Sequence, residues 1–283
     1  MTDLILYEKA DRIATISLNR PEAMNAFTGA MLDQLDEALR DVERDPEVHV
    51  AIIKGAGPGF CAGADLSDNG SEAQERWVAT EPTVYDDFVA FTDDRYRVST
   101  WSLRKPVIAQ VHGFCVGAGH DIAGQCDIII AADTAKFIHS EVRGLGVTWR
   151  HLSAYYAGPQ WAKIMMFTGD PVSGVDAERI GLVAKSVPED RLDDEVRALA
   201  ARIALVPIET LALNKATINK AFEAMGLREY LEFGAAMDAI AHGTNSFKSF
   251  IALIQEQGLG AALEARDGPF RQIPRPFRGE GRS

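Results

Sequence analysis

Two acidic residues are the first candidates for chemistry. Asp121 stands in GHDIAG and Glu141 in FIHSEV. Carboxyl groups on the two sides of a reacting bond can take a proton from one atom and deliver one to another, provided burial adjusts their pKa values. Asp121 follows Ala118 by three residues, which puts both on one turn of any helix that starts there. Taken singly, Asp121 reads as a helix-start carboxylate favoured by the dipole, and Glu141 as a solvated loop acid.

Two glycine-rich stretches, GAGPGFCAGAD at 55–65 and HGFCVGAGHDI at 112–122, each follow a short apolar run. The first lacks Gly-Lys-Ser/Thr, and the second has Ile122 where a dinucleotide fingerprint needs its third glycine, so neither reads as a phosphate cradle. What they share is a small residue at which a ligand can approach the main chain. A turn entering a helix also presents unpaired N–H groups and the positive dipole end. Two such donors meeting at one oxygen would make an oxyanion hole, where one donor is worth about 3 kcal/mol of transition-state stabilisation. Either turn alone reads first as a tight connection between strand and helix.

A rival chemistry uses Gly113-Phe114-Cys115-Val116-Gly117, which fits the nucleophile-elbow pattern with cysteine for serine. It would make Cys115 the nucleophile of an α/β-hydrolase served by a downstream acid and a histidine such as His242, and it leaves FCAGAD and Glu141 without a task. His112, His120 and His139 lie near the two acids in sequence but lack HExxH or similar spacing, so no metal site is expected. His120 and His139 are expected to pack or hydrogen bond beside the acids, where they can tune a pKa.

The elements that position these residues follow from periodicity. RIATISL at 12–18 alternates as a strand. VAIIKG at 50–55, PVIAQV from Pro106 and DIIIAA at 127–132 read as buried strands. Met31, Leu32, Leu35, Leu39 and Val42 recur at helical spacing over 29–44, with Thr28 as N-cap, and form a core stripe. Residues 71–104 are expected as helix and mobile loop. Phe137 and Ile138 sit in a short strand, and LVAKSV at 182–187 in the last one. Residues 191–204 and 207–267 read as helical, and the arginine-rich tail from Gly268 as loose. The change of grammar places a boundary near 190, giving a 1–190 core and a 191–283 helical region.

The chain has 283 residues, 47% hydrophobic and 25% charged, as a globular protein with a sizeable core requires. A net charge of −12 argues against nucleic acid or an anionic membrane as main partner, although a local dipolar site can still hold an anion. Cys61, Cys115 and Cys126 do not form a disulfide framework. The start, Met1-Thr2-Asp3-Leu4, lacks signal-peptide character, and no run reaches the ~20 apolar residues of a membrane span. A reducing cytoplasm is the expected home.

FCAGADL at 60–66 followed by KPVIAQVHGFCVGAGHDIAGQCDI at 105–128 resembles the paired signature of the enoyl-CoA hydratase/isomerase (crotonase) superfamily. NRPEAMNAF at 19–27, TGDPVSGVDAERIGLVAKSV at 168–187 and EARDGPF at 264–270 resemble its other motifs, in order, over nearly the whole chain. The resemblance implies an α/β spiral of ββα units with a C-terminal helical region that builds trimers, or dimers of trimers. It implies an acyl-CoA substrate, with CoA arriving as part of it and no separate cofactor. Ala64 and Ala118 then carry the oxyanion-hole amides, and Asp121 and Glu141 the acid and base. Ala23, Met24, Ala26, Ala62, Asp65, Leu66, Gly117 and Trp149 then line the CoA and acyl site.

Two departures bear on the reaction. Asp121 stands where hydratases have glutamate, and a misplacement near 1 Å can cost ~10²-fold in rate. The loop VRGLGVTWRHLSAYYAGP is shorter than the usual one, so Trp149, Arg150, His151, Tyr155 and Tyr156 are expected to crowd the acyl pocket or its wall. Water addition to a 2-enoyl-CoA is the leading expectation. Double-bond migration, thioester or C–C hydrolysis, and acyl-CoA binding without turnover remain alternatives. Lys215, Lys220 and Lys248 read as a solvated helix face, with contact to CoA phosphates as the other option.

Overall fold

The computed structural model describes residues 3–66, 100–148 and 150–275. Four strands carry near-continuous apolar runs: β2 (Ile13–Leu18), β3 (Val50–Gly55), β4 (Val107–Val111) and β6 (Ile128–Ala132). Such runs suit parallel strands covered on both faces. These four are neighbours, with Ile16, Ile53, Ala109 and Ile129 side by side. β1 (Ile5–Ala10) and β9 (Lys185–Val187) close the sheet at its edges in the order β1-β2-β3-β4-β6-β9, and only the β1–β2 pair is antiparallel. Helix α1 (Gly29–Arg44) starts where expected. The Thr28 hydroxyl accepts from Met31 N at 3.3 Å, and the stripe Met31, Leu35, Leu39 and Val42 is buried.

A second sheet positions the site. β5 (Phe114–Val116) pairs in parallel with β7 (Lys136–Ile138), which pairs antiparallel with β8 (Val172–Ser173). The segment at 60–62 lies along β5. Cys61 N donates to Phe114 O and Val116 N donates to Cys61 O, both at 2.9 Å. One layer further out, Phe27 N donates to Gly63 O at 2.7 Å and Asp65 N to Phe27 O at 3.0 Å. The chain thus passes the same place four times, at 24–27, 61–65, 114–117 and 136–138, each pass bonded to the one before. Helix α2 (Ala118–Gln125) leaves directly from β5.

The later helices are α3 (Ser153–Tyr156), α4 (Gly158–Thr168), α5 (Gly174–Arg179), α6 (Leu192–Ala204), α7 (Ile208–Ala224), α8 (Leu227–His242), α9 (Asn245–Gln257) and α10 (Leu259–Asp267). Helix α6 buries Leu192, Val196, Ala200 and Ala204 in the core of the large sheet, so the helical grammar begins inside that core. The pattern read over 182–187 shortens to β9, because Leu182 and Val183 turn back onto Ala177 O at the end of α5. Of the stretch expected as helix and loop over 71–104, residues 71–99 lie outside the described residues.

Helix α7 buries one residue, and it is Lys215. Its ammonium donates to Thr100 O (2.9 Å), Lys105 O (3.1 Å) and Asp127 Oδ2 (2.7 Å), and the same carboxylate oxygen accepts from Val107 N. The expectation of a solvated face, or of a CoA contact, is corrected for Lys215: it is a structural ion pair joining α7 to the starts of β4 and β6. Charge spacing along a helix cannot reveal carbonyls supplied by distant segments. Removing one partner of a buried pair leaves the other uncompensated. Lys215→Ala is therefore expected to lower the unfolding free energy by about 3–5 kcal/mol, read as a fall in urea midpoint. A loss under about 1 kcal/mol would rank the pair with exposed ones.

Candidate active site

The loop at 20–27 is built around one buried asparagine. Asn25 is fully enclosed and sits at φ 56°, after Met24 at φ 49°. Asparagine tolerates this left-handed region better than most residues. Its side-chain oxygen accepts from Arg20 N at 2.8 Å, and its amide donates to Ala56 O (2.8 Å) and Gly59 O (2.9 Å). Arg20 reaches Ala26 O (2.6 Å) and holds Asp65 Oδ2 with both terminal nitrogens at 3.0 Å. Asp65 therefore clamps the two loops together through this oxygen. Ala62 N donates to Met24 O at 2.9 Å. Met24 is exposed, Ala23, Ala62 and Leu66 are half-buried, and Ala26 is buried. Trp149 lies outside the described residues.

Around Ala64 the amides of 62, 63 and 65 donate to Met24 O, Cys61 Sγ and Phe27 O respectively. Around Ala118, Val116 N donates to Cys61 O and Gly117 N to Ile138 O. Among the described residues, the N–H groups of Ala64 and Ala118 make no hydrogen bond. Ala118 opens α2, where an N–H has no intrahelical partner, and Gly117 brings no capping side chain. The turns press together: a Cβ on Gly63 would lie 2.9 Å from Val116 O and 3.6 Å from Ala118 N. Gly63 at φ 94° and Gly117 at φ 49° adopt conformations that suit glycine.

Glu141 comes up on the other side of that turn. Both its carboxylate oxygens lie 3.5 Å from where a Gly117 Cβ would stand. Its side chain is 24% exposed, and Oε1 accepts from His139 Nδ1 at 2.8 Å. Arg143, two residues on, donates to Thr168 O (2.7 Å), Asp170 (2.7 Å) and Asp267 (3.2 Å), with Phe270 stacked 3.8 Å from its guanidinium. Arg266 reaches Ser140 Oγ at 3.2 Å. The motif EARDGPF thus brackets Glu141 from both sides. Asp238 on α8 accepts from Val147 N at 2.7 Å and fixes the loop beyond.

Asp121 is half-buried, and its Oδ1 is enclosed without a hydrogen-bond partner among the described residues. Burial pushes its carboxyl up to about 7. The charges of Glu141 and Asp238 add to that rise, while His139 and Arg150 oppose it. The structure brings both acids to one turn, and the sequence gives no sign of such a shift.

The rival reading of the elbow needs correction. Cys115 is a buried strand residue whose thiol is pushed well above its ordinary range by burial, so it is neither exposed at an elbow nor activated. His151, Tyr155 and Tyr156 turn to the C-terminal helices: His151 Nε2 lies 3.3 Å from Tyr230 Oη, and both tyrosines pack on Phe222. His139 and His151 have their Nδ1 atoms committed to Glu141 and Ser153 N. Sequence reasoning missed Asn25 and Arg20 as the clamp of the 20–27 loop. Asn in a run after Pro21-Glu22-Ala23-Met24 is the only local signal, since it is one of few residues at ease with positive φ.

The fold and this arrangement define a class. Residues 8–273 match the family model for enoyl-CoA hydratase/isomerase, and the chain belongs to that family. The crystal structure of an enoyl-CoA hydratase from Mycobacterium smegmatis superposes with a TM-score of 0.88 at 32% identity, covering 97% of each chain. A crotonyl-CoA hydratase of Syntrophomonas wolfei is 34% identical, over 94% of this chain and 97% of its own length. A probable enoyl-CoA hydratase of Mycobacterium tuberculosis is 32% identical, over 95% and 98%. The crotonase-type spiral expected from the motifs is the fold observed.

The Asp121 carboxyl yields a pH prediction with a definite sign. Its folded pKa stands near 7 and the unfolded one near 4, so unfolding releases a proton between those values and stability falls as pH rises through that window. Asp121→Asn is expected to melt higher than wild type at pH 7, with the difference vanishing below about pH 4. Calorimetry across pH 3.5–8 checks it; a constant difference would mean that Asp121 titrates as an ordinary carboxylate.

Proposed function

We propose that the protein is an enoyl-CoA hydratase that adds water across the double bond of a 2-enoyl-CoA, with crotonyl-CoA as a suitable short substrate. The observation that carries this reading is the pair of unpartnered amides, Ala64 N and Ala118 N, beside two carboxyl groups. The thioester oxygen sits between those amides. Water oxygen bonds to Cβ as its O–H proton passes to a carboxylate, the double-bond electrons move toward the thioester oxygen as an enolate, and the two N–H groups stabilise the developing charge. When the enolate collapses, Cα takes a proton. Glu141 is the main acid/base for these transfers, and Asp121 orients the water or shuttles the second proton. An acid titrating near 7 is well matched to that second task. CoA enters as part of the substrate, along Ala23, Met24, Ala26, Ala62, Asp65 and Leu66, with Gly117 and Trp149 toward the acyl group; no further cofactor is used.

Hydratase names on relatives that match nearly the full chain support the reaction. Isomerisation would need the same enolate with both protons exchanged at carbon, so crotonyl-CoA and a 3-enoyl-CoA are assayed together by the absorbance of the conjugated thioester. Loss of that absorbance from crotonyl-CoA is expected, and kcat is expected to fall about 10²–10⁴-fold in Glu141→Gln with binding retained. Conjugation of the 3-enoyl-CoA without hydration of crotonyl-CoA would make the protein an isomerase instead. An active Glu141→Gln enzyme would remove Glu141 from the mechanism.

We also propose that the chain works as a trimer or a dimer of trimers in the cytoplasm. Phe167, Leu205, Leu213, Met225 and Phe233 are large apolar side chains left 66–79% exposed, surface that a subunit contact would cover. Among the described residues, no helix is long and apolar enough to cross a membrane. Light scattering is expected to return three or six copies of the 30.8 kDa chain; a single copy would refute the assembly.

A further inference from the structure

Behind the two acids lies a column of rings that the mechanism above does not use. His139 has no exposed side-chain surface, and its Nδ1 is 2.8 Å from Glu141 Oε1. Its ring stacks on His120, with centroids 4.3 Å apart and planes 20° from parallel. His151 meets it at 4.8 Å and 59°. His120 is itself enclosed, packed on Phe137, and neither of its nitrogens has a partner among the described residues. Burial, with His139 and His151 beside it, holds its pKa well below the ordinary value, so it is a neutral spacer.

The protons of this column can be assigned from the bonds. Ser153 N donates to His151 Nδ1, so the His151 proton sits on Nε2, toward Tyr230. Glu141 offers His139 an acceptor, so Nδ1 of His139 carries a proton. His139 Nε2 is enclosed without a partner among the described residues. The contacts between the rings are faces and edges, not hydrogen bonds, so the column passes no proton along. What it does is immobilise the His139 ring.

We propose that His139 is a positioning residue for Glu141: the Nδ1–H fastens Oε1 and leaves Oε2 as the oxygen that exchanges protons with substrate at the Gly117–Ala118 turn. This inference rests on the reading of Glu141 as the main acid/base. Without it, a glutamate on a short turn would sample several rotamers, with only part of the population facing the turn. The groups facing His139 are His120 and Asp121 from α2, Glu141 from its own turn, and His151 from the segment before α3. Burial opposes a charged imidazole there. Glu141, by charge and hydrogen bond, and Asp121, by charge, outweigh it, so the His139 pKa is raised above its ordinary value. Below that pKa the charged ring donates from Nδ1; above it the neutral Nδ1–H tautomer still donates. The fastening therefore does not depend on the charge of His139.

Two variants and one titration test this. His139→Phe keeps an aromatic ring to stack but has no donor. His139→Asn places an N–H near the former Nδ1. In crotonyl-CoA hydration, His139→Phe is expected to lose about 10²-fold in kcat with KM changed less than about twofold, and His139→Asn to recover most of that loss. A loss confined to KM, or an Asn variant no better than Phe, would overturn the proposal. The titration uses wild type and Glu141→Gln, with imidazole nitrogens followed by NMR. The His139 midpoint is expected above the ordinary histidine value in wild type and lower in Glu141→Gln; an unchanged midpoint also overturns it. Because the titration needs no turnover, it separates the two claims. A wild type inactive on crotonyl-CoA whose His139 still responds to Glu141→Gln refutes the hydratase reading alone and supports the fastening.

Discussion

A folded chain leaves few main-chain N–H groups without an acceptor, because each unpaired one away from water costs about as much as a lost hydrogen bond. Among the described residues, two are left so at Ala64 and Ala118, while the amides at 62, 63, 65, 116 and 117 are engaged. The sparing of Ala64 follows from the stacked passes of the chain. A parallel ladder uses alternate residues of each strand, so the residue between bonded amides faces the other way. Ala64 is that residue in the Phe27 bridge. Ala118 is spared for a different reason, since it begins a helix immediately after a strand. The turns at Gly63 and Gly117 press together, so that a Cβ on Gly63 would stand 3.6 Å from Ala118 N.

The two acids depend on unlike surroundings. Asp121 is fixed by the helix that Ala118 starts, and the shorter side chain keeps its carboxyl close to that helix, where burial raises its pKa. Glu141 stands on a short turn that regular structure would hold poorly. It is held instead from outside, by His139 on one oxygen and by α10 through Arg266 and Arg143 on either flank. Deletion of the C-terminal helices would therefore loosen the turn that carries Glu141.

The main parallel strands were legible from composition alone, because strands covered on both faces must be apolar along their length. Helix α1 was legible from its period and its Thr28 cap. β1 was not, since its outer face is solvated and only Ile5 is buried. β8 was not either: two residues carry no period. The candidate amides were legible because small residues are required wherever a ligand meets main chain, and the acids because their types and order match a known motif set.

What the sequence determined by itself is therefore most of the local elements, the family and the candidates for chemistry. Those signals are carried by near neighbours, through periodicity, capping and small side chains. Only the tertiary structure decided which polar groups are spent on holding the fold: Lys215 on Asp127, Arg20 on Asp65, His139 on Glu141. The burial of Cys115 and the raised pKa of Asp121 belong with these. The physical reason is that a side chain's charge state and accessibility are set by atoms brought to it from segments remote in sequence, and no local pattern records which segments those will be.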